Sequence, residues 1–148
     1  MSLQDNKIMG IDYGSVRIGI ATSDLSKTIA FGQKAINNDK SSLDKILEII
    51  IADNVTRIVL GYPLNLKGLR TAQTLEVEKF EEKLKDHINK ILKDRYVEIV
   101  RWDERFTSKM AQDSMLISGM KKMKRREKSN IDVISAALLL QSYLDSAF

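Results

Sequence analysis

The sequence predicts an α/β fold with one five-stranded mixed sheet flanked by helices, in the order βββαβαβαα. Three observations lead to this prediction. The length of 148 residues suits one domain, which we expect over residues 1–148, with about the first six disordered or foreign to the natural protein. Three strand-like segments come first, joined by short links. Helix-like and strand-like segments then alternate, which is typical of parallel strands.

The first three strands are short segments rich in apolar residues. Lys7–Asp12 is largely apolar and ends at a turn signal, Asp12-Tyr-Gly-Ser15. Arg17–Ser23 alternates isoleucine and threonine with small residues, and Ile29–Ile36 forms the third segment. A parallel return needs about a dozen residues or more, so links this short predict that the three strands pair antiparallel in sequence order.

The helices are predicted from apolar residues that recur with the spacing of one helical face. The serine pair at 41–42 is a good N-cap for the first helix. A third helix starts at Thr107 or Ser108 and stops near Gly119, and a last helix starts at about Asn130. The apolar positions of the first two helices are Leu43, Ile46, Leu47, Ile50 and Ile51, then Val77, Phe80, Leu84, Ile88 and Ile91.

Two further strands lie between the helices. Arg57–Leu60 is an apolar segment closed by Gly61-Tyr-Pro63, and Val97–Arg101 runs into Trp102-Asp-Glu-Arg105. We expect strands one, four and five to be parallel and adjacent, so that their C-terminal ends share one edge of the sheet. In open α/β sheets, functional sites form at that edge.

The composition excludes several kinds of chemistry. The chain has no Cys, which excludes disulfides, thiolate nucleophiles, thiolate zinc sites and iron–sulfur clusters. His87 is the single histidine, so a His-rich metal site is excluded and a Ser-His-Asp triad would have to include that residue. No segment looks like a signal peptide or a membrane span, so we expect a cytoplasmic protein with no membrane partner.

The positive charge is concentrated in one short segment. The net charge is +4, but Met120–Lys128 holds six of the 24 basic residues and one of the 20 acidic residues, so this segment carries +5 and the rest of the chain −1. Such a cluster favours a polyanionic partner, although a solvated loop is the alternative. We expect its side chains to hold a nucleic-acid backbone: Lys121, Lys122, Lys124, Arg125 and Arg126.

Acidic residues gather at the predicted sheet edge. Asp12 ends strand one, Asp103 and Glu104 end strand five, and Asp132 lies in the first turn of the last helix. Carboxylates placed close together repel one another unless a hard divalent cation such as Mg²⁺ or Mn²⁺ binds between them. Two such ions about 4 Å apart can activate a water and stabilise the leaving oxygen of a phosphodiester.

Each acid alone also has a structural explanation. Asp12 fits a turn residue, and Asp132 fits an acid at the start of a helix. Glu104 fits an ion pair with Arg105 or Arg101. The functional interpretation therefore depends on the acids converging at one edge.

Four segments of the chain carry a set of motifs in a fixed order. They are Gly10-Ile-Asp-Tyr-Gly-Ser-Val-Arg-Ile-Gly19, Gly61-Tyr-Pro-Leu-Asn65, Asp103-Glu-Arg-Phe-Thr107, and Ile131-Asp132 with Ala136-Ala137 and Leu140-Gln-Ser-Tyr-Leu-Asp145. This set resembles the YqgF/RuvX family, and the resemblance runs from Ile8 to Asp145. Members of that family are described as Holliday junction resolvases and as nucleases that mature the 5′ end of 16S rRNA.

The resemblance implies an RNase H-like fold and metal-dependent phosphodiester hydrolysis. The matching catalytic and metal-binding acids are Asp12, Glu104 and Asp132, with Asp103 as an alternative to Glu104. Two departures stand out. RNase H-like nucleases often carry an acid at the end of strand four, where this chain has Gly61-Tyr62, and the loop Lys67–Thr71 lacks a second glycine expected in the family.

Four other residues are candidates for substrate binding. Arg17 and Arg105 flank the acids and could neutralise a phosphate, or they could be structural partners of Asp12 and Asp103. Asn65 and Thr107 could donate or accept hydrogen bonds with substrate, or they could serve as turn and capping residues.

We therefore expect a nuclease that uses Mg²⁺ or Mn²⁺ to process the 5′ end of pre-16S rRNA in ribosome biogenesis, as a monomer or a homodimer. The alternative is a Holliday junction resolvase that acts on branched DNA and requires a dimer. A third possibility is a nucleic-acid-binding factor with a degenerate site. The phosphate loop of actin-like ATPases and sugar kinases is a weaker match, because those folds need two such domains.

Overall fold

The computed structural model describes residues 5–107 and 128–147. The predicted helix over residues 108–119 and nearly all of the basic segment Met120–Lys128 lie outside them. In chain order the elements are β1 (Lys7–Tyr13), β2 (Arg17–Ser23), β3 (Ala30–Asn37), α1 (Ser42–Ala52), β4 (Val55–Tyr62), α2 (Ala72–Ile91), β5 (Glu98–Asp103), a 3₁₀ turn (Glu104–Phe106) and α3 (Lys128–Ala147).

The strands form one mixed sheet with the order β3-β2-β1-β4-β5. β2 is antiparallel to β1 and β3, and β4 is parallel to β1 and β5. This confirms the predicted α/β fold with an antiparallel first part and parallel strands one, four and five. Ile11 lies opposite Leu60 and Gly61 lies opposite Trp102, so the C-terminal ends of the three parallel strands reach one edge together.

Neighbouring residues of β1 point to opposite faces of the sheet, and helices cover both faces. Met9 packs into a core that includes Ile46 of α1 and Leu84 of α2, whereas Ile8 packs against α3. Asp12 follows Ile8 by four residues on the same strand, so its side chain points to the same face of the sheet, which α3 covers. No helix within residues 5–107 and 128–147 is long and apolar enough to cross a membrane.

Glycines in the strands allow α3 to lie very close to the sheet. A Cβ on Gly19 would lie 2.1 Å from the Asp132 carbonyl oxygen, and a Cβ on Gly10 would lie 2.8 Å from the Leu140 Cβ. Either contact would force the helix away from the strands. The helix begins at Lys128, two residues before the predicted start, so Asp132 is its fifth residue and lies beyond the first turn in which the sequence placed it. The backbone of α3 at Asp132 is therefore fixed against β2, which determines where the Asp132 side chain can reach.

The N-terminus of α1 differs from the sequence prediction. The helix does start after Ser41, but the Ser41 backbone is already in the helical region and its side chain makes no capping bond to the helix. The Ser41 hydroxyl instead donates to the Asp39 carboxylate at 2.6 Å, and the Ser42 hydroxyl donates to the Asp39 carbonyl. Asp39 thus accepts hydrogen bonds from both serine hydroxyls, one through its carboxylate and one through its backbone carbonyl, in place of the helix amides.

Candidate active site

The central feature of the sheet edge is a pair of acidic residues, Asp12 near the end of β1 and Glu104 directly after β5. β4 separates these strands, so the two side chains can meet only across its last residues. Gly61 provides the room, because a Cβ there would lie 2.6 Å from the Glu104 Oε1 atom and 3.2 Å from a Leu139 methyl carbon. The carboxyl groups of Asp12 and Glu104 are hydrogen-bonded to each other.

The environment favours protonation of this pair. Burial is the largest cause that raises the pKa of Asp12, to about 8, and the negative charges of Glu104 and Asp132 add to it. Burial and the charge of Asp103 also raise the pKa of Glu104, although its hydrogen bond with Asp12 opposes the shift. In the absence of a cation, the two carboxyl groups therefore retain a proton at neutral pH.

The pair opens into a small pocket of about 180 Å³. Its other lining residues are Thr107, Ser135 and Leu139. The Thr107 Oγ1 atom is buried and has no hydrogen-bond partner among the residues that the structure describes. A buried hydroxyl of this kind is suited to a polar ligand, because an unpaired hydroxyl in a protein interior is costly.

Asp132 lies beside the pair but is held by another residue. The Arg17 Nε atom donates to the Asp132 Oδ2 atom at 2.8 Å, and each side chain is 27% exposed. The charge of Asp132 reaches Asp12 and contributes to its raised pKa. Of the three acids matched by motif, the structure thus brings Asp12 and Glu104 together and places Asp132 nearby in an ion pair. The sequence-based alternative for Arg17 named Asp12 as its partner, whereas the partner is Asp132.

Asp103 has a different environment from Glu104. The Arg105 guanidinium and backbone amide both donate to its carboxylate, at distances of 2.6 to 3.1 Å, and these bonds lower the pKa of Asp103. Arg101 is bound in turn to Glu81 at 2.8 Å. Neither arginine pairs with Glu104, so of the two adjacent acids Glu104 is the one that faces the pocket with its oxygens available.

The loop after β4 is organised by Asn65. Its side-chain oxygen accepts hydrogen bonds from the Lys67 and Leu69 amides, each at 2.9 Å. Gly68 adopts a positive φ of 79°, and the Arg105 guanidinium lies 3.2 Å from where its Cβ would be. One glycine therefore satisfies the turn, and Asn65 and Arg105 have the structural roles that the sequence left open.

The remaining candidates for substrate binding belong to the basic segment Met120–Lys128. Lys121, Lys122, Lys124, Arg125 and Arg126 lie outside the described residues. Two lining residues of the pocket, Ser135 and Leu139, were not predicted from the sequence. The spacing gave a usable signal, because Ser135 follows Asp132 by three residues on a helix and so shares its face.

The donor chemistry of the pocket suits a hard divalent cation. Two carboxyl groups with raised pKa values and a buried hydroxyl are oxygen donors of the kind that Mg²⁺ and Mn²⁺ prefer, and a cation would relieve the repulsion within the acid pair. Within residues 5–107 and 128–147, no three carboxylate or imidazole side chains already stand together as a metal-binding group. Asp132 does not join such a group in this structure, and its Oδ2 atom is bound by Arg17.

Comparison with known sequences gives consistent matches over nearly the whole chain. The sequence model of the RuvX family, described as Holliday junction resolvase, matches residues 6–146. A protein of Ruminiclostridium cellulolyticum named "Putative pre-16S rRNA nuclease" is 40% identical over 143 residues, covering 94% of each chain. A protein of Sulfurihydrogenibium with the same name is 38% identical over 140 residues, covering 95% of this chain and 90% of the relative.

Solved structures resemble the fold at low sequence identity. Thermus thermophilus RuvC in complex with a Holliday junction substrate superposes with a TM-score of 0.59 at 10% identity, covering 96% of each chain. The fowlpox virus resolvase in complex with junction DNA gives 0.56 at 12% identity, covering 95% of this chain and 97% of the other. These likenesses agree with the predicted RNase H-like fold. The sequence matches themselves show that the chain belongs to the RuvX (YqgF) family.

Proposed function

We propose that this protein is a cytoplasmic nuclease that uses Mg²⁺ or Mn²⁺ to hydrolyse phosphodiester bonds, and that its substrate is the 5′ end of pre-16S rRNA. The observation that carries the proposal is the half-buried pair of Asp12 and Glu104 in a pocket at the C-terminal edge of the parallel strands. An acid pair with a raised pKa is unfavourable for stability, and such a cost is typical of functional sites.

The roles of the side chains follow from their positions. Asp12 and Glu104 would hold the cation, and Asp132 is the third candidate ligand. When bound, the cation supplies activation of water at neutral pH and compensation for negative charge on the phosphate. The Thr107 hydroxyl is placed to hydrogen-bond a phosphate oxygen or a water in the pocket, and the basic segment Met120–Lys128 would hold the backbone of the strand.

RNA is the favoured substrate because the curated relatives at 38–40% identity carry the pre-16S rRNA name. Two observations favour a second candidate, resolution of Holliday junctions. The family is described by that activity, and structures with the same fold are solved with junction DNA. Junction resolution requires two sites that cut symmetric strands, and therefore a dimer.

One experiment separates these candidates. The purified protein is supplied with Mn²⁺ and, under the same conditions, with a 5′-extended 16S rRNA fragment or with a four-way DNA junction. RNA processing predicts cleavage of the rRNA fragment without paired symmetric cuts in the junction. Symmetric paired cuts, together with a dimer in sedimentation, would instead support junction resolution.

Two variants control this experiment. Asp12→Asn should cut neither substrate, whereas Asp86→Asn, which changes an exposed acid on α2 beyond the opposite face of the sheet, should behave like the unchanged protein. A protein that binds both nucleic acids and Mn²⁺ but cuts neither would contradict the proposed hydrolysis and support a non-catalytic binding factor.

A further inference from the structure

The ion pair between Arg17 and Asp132 is the nearest strong interaction to the acid pair that the proposed function does not explain. Its Nε–Oδ2 distance of 2.8 Å is that of a good charge-assisted hydrogen bond. Both side chains are 27% exposed, so an incoming anion can reach the guanidinium. An arginine in this position also weakens any cation site beside it, because like charges repel.

The backbone at Asp132 is fixed, whereas the Asp132 side chain can rotate between Arg17 and the pocket that holds Asp12. The Asp132 carbonyl oxygen lies 2.1 Å from where a Cβ on Gly19 would be, which holds this part of α3 against β2. Ser135, one turn further along the helix, already lines the pocket with Asp12. A rotation of the Asp132 side chain, without movement of the helix, is therefore the change that would bring its carboxylate toward Asp12.

We propose that Arg17 is a positioning residue that withholds the Asp132 carboxylate from the cation until a phosphate of the substrate takes over the guanidinium. Guanidinium groups bind carboxylates and phosphates through the same fork of N–H donors, so a phosphate can replace Asp132 without leaving Arg17 unpaired. The inference rests on the proposed function and goes beyond it. If Arg17 acts in this way, bound nucleic acid raises the affinity for the cation, and the bound cation raises the affinity for nucleic acid by the same factor, as linkage requires.

The direct test is a double-mutant cycle on Mn²⁺ affinity, measured by calorimetry without nucleic acid. Arg17→Gln should tighten Mn²⁺ binding by about tenfold, because Asp132 becomes available as a ligand. Asp132→Asn alone should change the affinity less than about threefold, since Arg17 already holds that carboxylate. In the double variant most of the gain should disappear.

A purely structural role for Arg17 predicts a different pattern. It predicts lower thermal stability in Arg17→Gln with unchanged or weaker Mn²⁺ binding, and that result would overturn the inference. Arg17→Lys keeps a cation opposite Asp132, so we expect its Mn²⁺ affinity to remain near that of the unchanged protein. Thermal unfolding of each variant shows whether it is folded before its affinity is compared.

A second measurement tests the part played by substrate and does not depend on Arg17→Gln being folded. A single-stranded DNA dodecamer with phosphorothioate linkages, checked for intactness on a gel, is added at a saturating concentration. It should tighten Mn²⁺ binding to the unchanged protein, after subtraction of Mn²⁺ bound by the DNA alone. Asp132→Asn should lose this gain, and an equal gain in that variant would contradict the inference.

The outcomes separate this inference from the proposed function. If the unchanged protein binds Mn²⁺ and cuts RNA but Arg17→Gln does not alter Mn²⁺ affinity, the Arg17 inference fails and the nuclease proposal stands. If the unchanged protein binds no Mn²⁺ and cuts nothing, the proposed function itself fails.

Discussion

The Glu104 Oε1 atom occupies the space next to Gly61, 2.6 Å from where a Cβ on that glycine would lie. The penultimate residue of β4 therefore has no side chain, and the Glu104 carboxylate from the neighbouring strand fills the space beside it. This arrangement explains the departure from the usual RNase H-like pattern, in which strand four often ends in an acid. The missing side chain on β4 is what allows Asp12 and Glu104 to meet.

Gly61→Ala should separate the acid pair. The new methyl group would collide with the Glu104 carboxylate and with Leu139, and the end of the flexible Glu104 side chain is the group that can move. We expect RNA cleavage and Mn²⁺ affinity each to fall by about tenfold or more, with a loss of stability of about 1–2 kcal/mol. Single-turnover cleavage and calorimetry measure these effects.

A matched comparison shows whether Gly61 acts through Glu104. Adding Gly61→Ala to Glu104→Gln should cause little further loss of cleavage, because the pair is already broken. Full activity in Gly61→Ala would show that Glu104 need not lie over β4.

Asp12→Asn should stabilise the protein in chelator, most strongly at alkaline pH. The native state raises the pKa of Asp12 from 3.8 to about 8, so between these values it holds a proton that the unfolded chain has released. The free energy of unfolding therefore falls as the pH rises through that range. An asparagine at this position does not ionise, so the variant does not lose that stability. We expect a gain in the free energy of unfolding of at most about 6 kcal/mol near pH 8, since each pKa unit corresponds to about 1.4 kcal/mol.

Urea unfolding at several pH values checks this prediction. The difference between Asp12→Asn and the unchanged protein should shrink toward zero below about pH 3, where the carboxyl group is protonated in both states. A difference that does not vary with pH would mean that the Asp12 carboxyl does not retain its proton in the folded protein.

Glu104→Gln and Asp103→Asn should have unequal effects. Glu104 faces the pocket, so its substitution should reduce cleavage by at least about 100-fold and weaken Mn²⁺ binding. The Asp103 carboxylate is bound by Arg105, so Asp103→Asn should mainly reduce stability and leave Mn²⁺ affinity within about threefold. The reverse order of Mn²⁺ affinities would identify Asp103 as the ligand.

The basic segment should control nucleic-acid affinity. Changing Lys121, Lys122 and Lys124 to Glu should weaken RNA and DNA binding at low salt and reduce the dependence of affinity on salt, because fewer counterions are released. A triple change of the exposed lysines Lys83, Lys85 and Lys90 on α2 is the matched control. Unchanged binding in the variant of Lys121, Lys122 and Lys124 would show that the nucleic acid binds elsewhere on the protein.

The sequence predicted the sheet correctly because few alternatives were physically open. Short links forced β1, β2 and β3 to pair in order, and alternating helices required a parallel return beside β1. The same logic brought Asp12 and Glu104 to one edge, since the C-terminal ends of parallel strands in one sheet lie at the same edge. Periodicity and short links thus predicted the strand order, whereas the choice of Glu104 over Asp103 came from the family resemblance.

The partners of individual side chains did not follow in this way. Arg17 lies on β2 and Asp132 on α3, and they meet because Gly19 lets the helix approach, a contact distant in sequence. Which of Asp103 and Glu104 faces the pocket likewise depends on the contact of Arg105 with Asp103 and on the space beside Gly61. Such choices depend on packing between elements, which periodicity does not encode.

The most direct test of the central claim compares RNA cleavage by the unchanged protein and by Asp12→Asn, with Mn²⁺ and with chelator. The substrate is a 5′-extended 16S rRNA fragment under single-turnover conditions. We predict that the unchanged protein cleaves the RNA with Mn²⁺ but not with chelator. With Mn²⁺, the cleavage rate of Asp12→Asn should be lower by at least about 1,000-fold. Undiminished cleavage by Asp12→Asn in chelator would contradict a metal-dependent nuclease centred on Asp12 and Glu104.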